Sequence, residues 1–383
     1  MEYIGMDVHK DMCQIVHVGD DGKVFDEYQM EPTQQNLDKF VQKIPRDAKI
    51  AIEAGTSSRP VYRELCRAGL EVHVANPAKV REVAKSKKKT DKHDATVLAQ
   101  KLRLGYFPEV YLPDEETESI RTVVRHRVAL GQKMAATKNY IHALLTLNGV
   151  KDGFSDLFGE KGMEFLENVE LSPSAQVALD SSIREIGFLQ EEIELVDAKL
   201  ASIAKDDQDV KLLMTIPGVG YYSALAITSE IGDIRRFLDA KKLISYAGLV
   251  ASTRTSNKIT HHGHITKEGP DVLRWILVSN AHSAVKKDGK LKRFYTRLAK
   301  RVGANKAIVA TARKMLVIIY HMLITQKPYE ERNDDLTYMK LKRMMYKARS
   351  GGKRSKMKEE RAARLRSKGM ETLKALGGDG SAL

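Results

Sequence analysis

The chain predicts an α/β N-terminal domain, a long helical middle and a mainly α-helical C-terminal domain. Three observations carry that expectation. Short apolar runs alternate with helical patterns up to about residue 104, which is the order of an α/β layer with a mixed sheet. Residues 115–148 hold no proline, and residues 174–205 repeat apolar side chains at helical spacing. Residues 210–325 combine helical periodicity with glycine-rich loops.

The first strand is read at residues 3–8 and the second at 13–18. Gly19-Asp20-Asp21-Gly22 then supplies turn chemistry and a third strand follows over 23–30, making an antiparallel meander. A helix is expected over 34–43, a strand over 49–53, and a helix over 59–68 that ends at Gly69. Glu71-Val72-His73-Val74-Ala75 reads as a fifth strand, closed by Asn76-Pro77. Helical patterns follow around 79–85 and 92–104. In the long stretch 174–205, Leu179, Ile183, Ile186, Ile193, Val196, Leu200 and Ile203 share a stripe with charged residues between them. That helix is either one half of an internal antiparallel pair or a dimer-forming surface, and spacing alone does not choose. The divisions expected are 1–110, 111–207 as a helical coiled-coil region, 208–328, and a basic extension over 329–383.

Lys and Arg number 64 against 50 Asp and Glu, a formal net charge of +14. Such a balance points to a polyanionic partner. Two cysteines cannot build a disulfide framework, so a reducing cytoplasm is expected. No signal peptide and no membrane span are expected, because apolar runs are short and interrupted by charge. Between Lys340 and Lys368 there are 13 Lys or Arg and 2 Glu, the pattern of a nucleic-acid arm or of a solvated tail.

Four carboxylates carry the chemistry. Asp7 closes the apolar run Tyr3-Ile4-Gly5-Met6, and Glu53 ends Lys49-Ile50-Ala51-Ile52. The first and fourth strands are natural neighbours, so the two can point to one spot. Asp91 and Asp94 are three apart, on one helical face. Gathered together, such groups repel without a cation between them. Mg2+ is the expected cofactor because it favours oxygen ligands. Lys85, Lys87, Lys88 and Lys89 precede Asp91 and suit a nucleic-acid backbone.

A second constellation is the polar loop Ser252-Thr253-Arg254-Thr255-Ser256-Asn257-Lys258. Ser256 lies between Arg254 and Lys258. A hydroxyl there can attack phosphorus while the cations hold phosphate oxygens, or the loop can contact phosphate with no covalent step. His261, His262 and His264 follow, and Lys267 and Arg274 extend the positive surface. Ile216-Pro217-Gly218-Val219-Gly220 precedes an apolar helix and suits either a phosphate contact or an ordinary interhelix turn.

These motifs, in this order, resemble the DEDD transposases of insertion sequences, also called bridge-RNA-guided recombinases. The N-terminal resemblance lies in Ile4-Gly5-Met6-Asp7-Val8-His9-Lys10, Ile52-Glu53 and Thr90-Asp91-Lys92-His93-Asp94-Ala95. The C-terminal one lies in Thr215–Gly220, Tyr246-Ala247-Gly248-Leu249-Val250 and Gly263–Gly269 with Leu273-Arg274. The resemblance covers about residues 1–320. It implies an RNase H-like (RuvC-like) N-terminal fold with Asp7, Glu53, Asp91 and Asp94 as DEDD metal ligands. It implies a catalytic serine at Ser256, a bridge RNA encoded by the element, donor and target DNA, and a homo-oligomer that forms dimers and a tetrameric synapse. Ala251 stands where the family usually has proline and Asn257 where it has glycine, so Ser252 remains a rival nucleophile. The function expected is an RNA-guided DNA recombinase working through a phosphoserine. The alternatives are a RuvC-like nuclease that uses water and a non-catalytic RNA- or DNA-binding protein.

Overall fold

Five strands make the first sheet of the computed structural model, in which residues 1–77, 79–80, 90–256, 259–287 and 289–351 are described. The chain divides into two units, Met1–Pro113 and Asp114–Leu383. In the first, β1 (Glu2–Val8), β2 (Cys13–Gly19) and β3 (Val24–Met30) form the antiparallel meander. Strands β4 (Lys49–Glu53) and β5 (Glu71–Ala75) run parallel to β1, giving the order β3-β2-β1-β4-β5.

Alternation along the strands sorts the two faces. Ile4, Met6, Ile15, Ile50 and Ile52 pack against Leu37 and Phe40 of α1 (Gln34–Lys43) and Val61 and Leu65 of α2 (Ser58–Arg67). On the other face, Val16 and Val18 meet Ala95 and Ala99 of α3 (Asp91–Arg103), and Ala51 and Ala75 meet Leu98. Strand β2 is therefore covered on both sides, and Cys13 through Val18 are buried. The helical pattern around 79–85 falls largely outside the described residues, as do Lys85, Lys87, Lys88 and Lys89.

The second unit is mostly helical. Helix α4 (Glu115–Leu147) pairs with α6 (Pro173–Ala204), with α5 (Glu160–Asn168) between them in sequence. Ile141 and Leu145 pack with Leu179, Ile183 and Ile186, while Val124 shares a core with Leu200 and Ala201. Residue numbers rise along one helix as they fall along the other, so the pair is antiparallel and internal. Next come α7 (Gln208–Leu213), α8 (Tyr221–Ile231), a 3-10 turn at Ile234–Arg236 and α9 (Ala240–Tyr246). Helices α10 (Asp271–Ala284), α11 (Lys290–Val302), α12 (Ala304–Thr325) and α13 (Asp334–Ser350) complete it.

Helix α12 is long and apolar enough to cross a membrane. Here it is a core helix, with Ile308, Ala312, Met315, Leu316 and Ile319 inside the unit.

Two expectations are corrected. The polar stretch after Leu249 is not a loop but a hairpin, β6 (Ala251–Ser256) paired with β7 (Ile259–Ile265). The β-branched Thr253, Thr255 and Thr260 suit strand backbone. The region from 329 does not begin as a detached extension. Tyr329 is 5% exposed and Met344 1%, and α13 lies against α6 and α8. Sparse apolar side chains at Leu341, Met344 and Ala348 suffice to dock it.

Candidate metal centre and basic surfaces

Strand β1, the middle strand of the sheet, carries Asp7 near its C-terminal end, and the helix that must meet it arrives because residue 5 is glycine. A Cβ at Gly5 would stand 1.8 Å from the Ala95 carbonyl oxygen. No other residue lets α3 lie so close to the strand. Asp7 is two residues on from Gly5 and so shares its face. Thr90 caps α3 by accepting the His93 N–H at 3.2 Å. That cap sets Asp91 and Asp94 in the first turn, where the helix dipole favours carboxylates.

Between β1 and β2 the chain reverses through His9, whose N–H donates to the Met12 carbonyl at 2.8 Å. The turn puts His9 Nε2 3.3 Å from Asp7 Oδ2 and 3.7 Å from Asp91 Oδ1. Ligand atoms of Asp7, His9 and Asp91 all lie within 4.8 Å of one another. Burial raises the Asp7 carboxyl above its usual value; the charges of Asp91 and Asp94 add to this and His9 opposes it. Asp94 thus acts on Asp7 electrostatically, though it stands outside the tight group. Glu53 also stands outside it. It follows Ile52, the partner of Met6 in register, so it ends the neighbouring strand on the same face as Asp7.

Two carboxylates and an imidazole around one point suit a divalent cation, with the oxygens favouring Mg2+ or Mn2+. His9 is the group that sequence reasoning passed over. Its signal was a histidine two residues after the strand-end aspartate, at the tip of a tight turn.

The hairpin of the second unit carries the predicted nucleophile. Ser256 ends β6 opposite Ile259. The side chains of Arg254 and Ser256 lie outside the described residues, and so does Lys258. Ser252 sits where the register shifts between Ala251 and Thr253. It is exposed, and its hydroxyl lies over Gly263, where a Cβ would approach Oγ to 2.4 Å. Lys267 is exposed, adopts a left-handed φ of 57°, and donates its N–H to the Gly248 carbonyl at 3.2 Å. Arg274 has its guanidinium inside the fold of the turns. It donates to the carbonyls of Ala247 and Glu268 at 3.2 and 3.3 Å, bracing two turns made by Gly248 and Gly269.

A cleft that sequence reasoning also missed opens between α8 and α13. Asp197 of α6 lines it with Tyr221, Lys342, Arg343, Tyr346 and Lys347, and Tyr346 is 74% exposed. Cations beside an open aromatic ring suit a phosphate backbone with an unpaired base.

Residues 4–148 match the DEDD_Tnp_IS110 model, described as a transposase, and residues 210–296 match the transposase model of the IS116/IS110/IS902 family. The chain is 27% identical over 337 residues to the transposase for insertion sequence element IS1111A of Coxiella burnetii, covering 86% of this chain and 91% of that one. It is 30% identical over 311 residues to putative transposase y4rJ of Sinorhizobium fredii, covering 70% and 75%. A probable family 20 transposase of Pseudomonas aeruginosa is 25% identical over 340 residues, covering 85% and 98%. The chain belongs to the DEDD-type insertion-sequence transposases of the IS110/IS116 family.

Proposed function

We propose that this transposase is an RNA-guided DNA recombinase that cuts and rejoins DNA through a phosphoserine. The observation that carries the reading is the convergence of Asp7, His9 and Asp91 within 4.8 Å, with Asp94 charging the same spot. The β3-β2-β1-β4-β5 sheet with α3 on β1 supports an RNase H-like N-terminal domain. We divide the chain functionally into 1–110 as that domain, 111–207 as a coiled-coil region, 208–328 as the serine-bearing domain and 329–383 as a basic region.

Asp7, Asp91, Asp94 and Glu53 would hold Mg2+, with His9 beside them. When bound, the ion supplies positive charge to the non-bridging oxygens of a phosphodiester under attack. The chain's own residues do the rest. Ser256 Oγ attacks phosphorus, an Oγ–P bond forms, and one P–O ester bond breaks as the leaving DNA hydroxyl takes a proton. A second DNA hydroxyl then attacks the same phosphorus, and Oγ leaves with a proton. Each step exchanges one ester for another, so no nucleotide triphosphate is consumed. Arg254 and Lys258 hold phosphate oxygens, while Lys85, Lys87, Lys88, Lys89 and Lys267 track nucleic-acid backbone. A bridge RNA supplies sequence choice. Phe188 and Leu195, seven apart on α6 and both at least half exposed, offer an apolar stripe to a second copy.

The test is a denaturing gel with labelled DNA, purified protein and its copurifying RNA. DNA covalently joined to protein, mapped to Ser256 and absent in Ser256→Ala and Asp7→Asn, is the expected outcome. Undiminished cutting by Ser256→Ala with no adduct would replace the recombinase with a water-using nuclease. An adduct on Ser252 would keep the chemistry and move the residue. Recombination that survives complete RNase treatment removes the guide.

A further inference from the structure

The turn before α8 converges three backbone carbonyls on one point, and a side chain from far along the chain fills it. Lys340 Nζ donates to the carbonyls of Met214, Ile216 and Val219, the last two at 3.0 Å. An ammonium has three N–H donors, so every donor finds a carbonyl. Burial pushes the Lys340 pKa down to about 8, and no carboxylate contributes to that shift. At neutral pH the group is still the charged form. It is a half-buried cation whose hydrogen-bond partners among the described residues are carbonyl oxygens.

The rest of the turn is equally fixed. Gly218 has φ +88°, and a Cβ there would meet the Ala284 backbone nitrogen at 2.7 Å. Tyr329 N–H donates to Thr215 Oγ1 at 2.9 Å. The Gly220 N–H donates to Ser223 Oγ at 3.0 Å, closing the first turn of α8. The segment 329–340 thus reaches back and grips residues 214–219 from one side, while α10 abuts them on the other.

Carbonyls converging without a carboxylate are the donor set of an alkali-cation site, where carbonyl oxygens replace the ion's hydration shell. We propose that Lys340 is a tethered cation: its ammonium occupies a monovalent-cation site built by the carbonyls of Met214, Ile216 and Val219, and so positions the turn that starts α8. Potassium can serve the same carbonyls once the ammonium is gone. In the native chain the site is filled by the protein itself, so the turn keeps its shape whatever the surrounding salt. The arrangement makes Lys340 a positioning residue, acting on α8 and the Tyr221 side of the neighbouring cleft through the turn.

The experiment compares thermal unfolding of the full chain, Lys340→Ala and Lys340→Met in KCl and in choline chloride at equal ionic strength. Lys340→Met keeps the apolar stem and separates loss of charge from loss of packing. The expected result is a native Tm that is the same in both salts. Both variants should melt lower in choline chloride and recover with KCl, by roughly 2–4 °C for each tenfold rise in potassium above its dissociation constant. Equal melting of the variants in the two salts overturns the proposal, as does an equal potassium response in the native chain. Failure of both variants to fold even in molar KCl also overturns it, since potassium would refill a vacated site. Because the readout is stability and not strand exchange, the result is independent of the phosphoserine reading.

Discussion

At the scale of single residues, the candidate centre trades stability for a charge cluster. Asp7 has 17% of its side chain exposed and sits beside Asp91 and Asp94. Burial first, and those charges second, raise its pKa, so the fold favours the neutral carboxyl. A raised carboxyl contributes stability below the usual value of 3.8, and that contribution is lost as pH rises through the folded value. At neutral pH the ionised Asp7 therefore works against the metal-free fold. Asp7→Asn is expected to raise the Tm in EDTA at pH 7 by a few degrees, with the gain shrinking as pH falls toward 4, while cleavage is lost. A lower Tm at pH 7 would show that Asp7 is a structural group. Gly5 is the other decisive residue. Gly5→Ala drives a methyl against the Ala95 carbonyl and forces α3 away from β1. We expect a cost of about 1–3 kcal/mol in denaturant unfolding and a marked loss of divalent-cation affinity. Unchanged Mn2+ binding in calorimetry would mean that the helix is not what places Asp91. The approach of Asp7 to Asp91 was legible in the sequence, because one lies near a strand end and the other opens a helix, whereas Glu53 and Asp94 stand outside the tight group. His9 was less so, since its approach depends on a four-residue turn whose geometry no periodicity records.

At the scale of elements, the sheet was readable because short apolar runs are set apart by turn residues such as Gly19-Asp20-Asp21-Gly22 and Asn76-Pro77. The hairpin was not. Its sequence is mostly hydroxyl and imidazole residues, so a period of two has nothing apolar to mark it. The pairing of α4 with α6 was left open by spacing and is decided by contacts between particular residues, with Arg127 Nε 2.7 Å from Asp197 Oδ1. A second link joins α4 to α8. Glu230 is fully buried, and Arg125 meets it bidentately at 2.7 and 2.9 Å. Arg121 donates to the carbonyls of Ser229 and Glu230, and the Tyr246 hydroxyl donates to the latter. Arg125 is about half exposed while Glu230 is buried, and Arg121 Nε stays 4.0 Å from the Glu230 carboxylate, so removing Arg125 leaves that charge only partly compensated. Arg125→Ala should cost about 1–2 kcal/mol, and adding Glu230→Gln should recover part of it. Chemical denaturation measures both, and a loss below about 0.5 kcal/mol would mean that solvent already screens the pair. On the opposite account, Phe188→Glu with Leu195→Glu should leave stability nearly unchanged while lowering the molar mass seen by light scattering. An unaltered mass would remove this stripe from the proposed self-association.

At the scale of the whole molecule, charge and structure divide the C-terminal region differently. By composition, 340–368 is one basic run. By packing, its first part is a helix of the second unit, while 352–383 lie outside the described residues. Composition could not reveal this, because three apolar side chains and one lysine do the docking. Truncation after Gln326 therefore removes more than phosphate contacts. It takes away Tyr329, the Lys340 ammonium and Met344, and bares α6 and α8 where α13 rests on them. Truncation after Gly351 keeps all three. The first protein should unfold at markedly lower denaturant and lose the DNA substrate together with its fold. The second should melt like the full chain and lose affinity only through fewer phosphate contacts, with a shallower dependence on salt, about one unit of slope for each contact removed. Between these lies the cleft. Tyr346→Ala in the full chain removes an exposed ring from beside Lys342, Arg343 and Lys347 without touching the buried face of α13. If bases stack there, affinity for single-stranded oligonucleotides should fall by about 1–3 kcal/mol with an unchanged salt slope, since no phosphate contact is lost. Fluorescence anisotropy over a salt series separates the two terms. An altered slope with no change at fixed salt would place phosphate, not base, against that side of the helix. Equal stability of the two truncated proteins would return the entire region beyond Gln326 to the status of an arm.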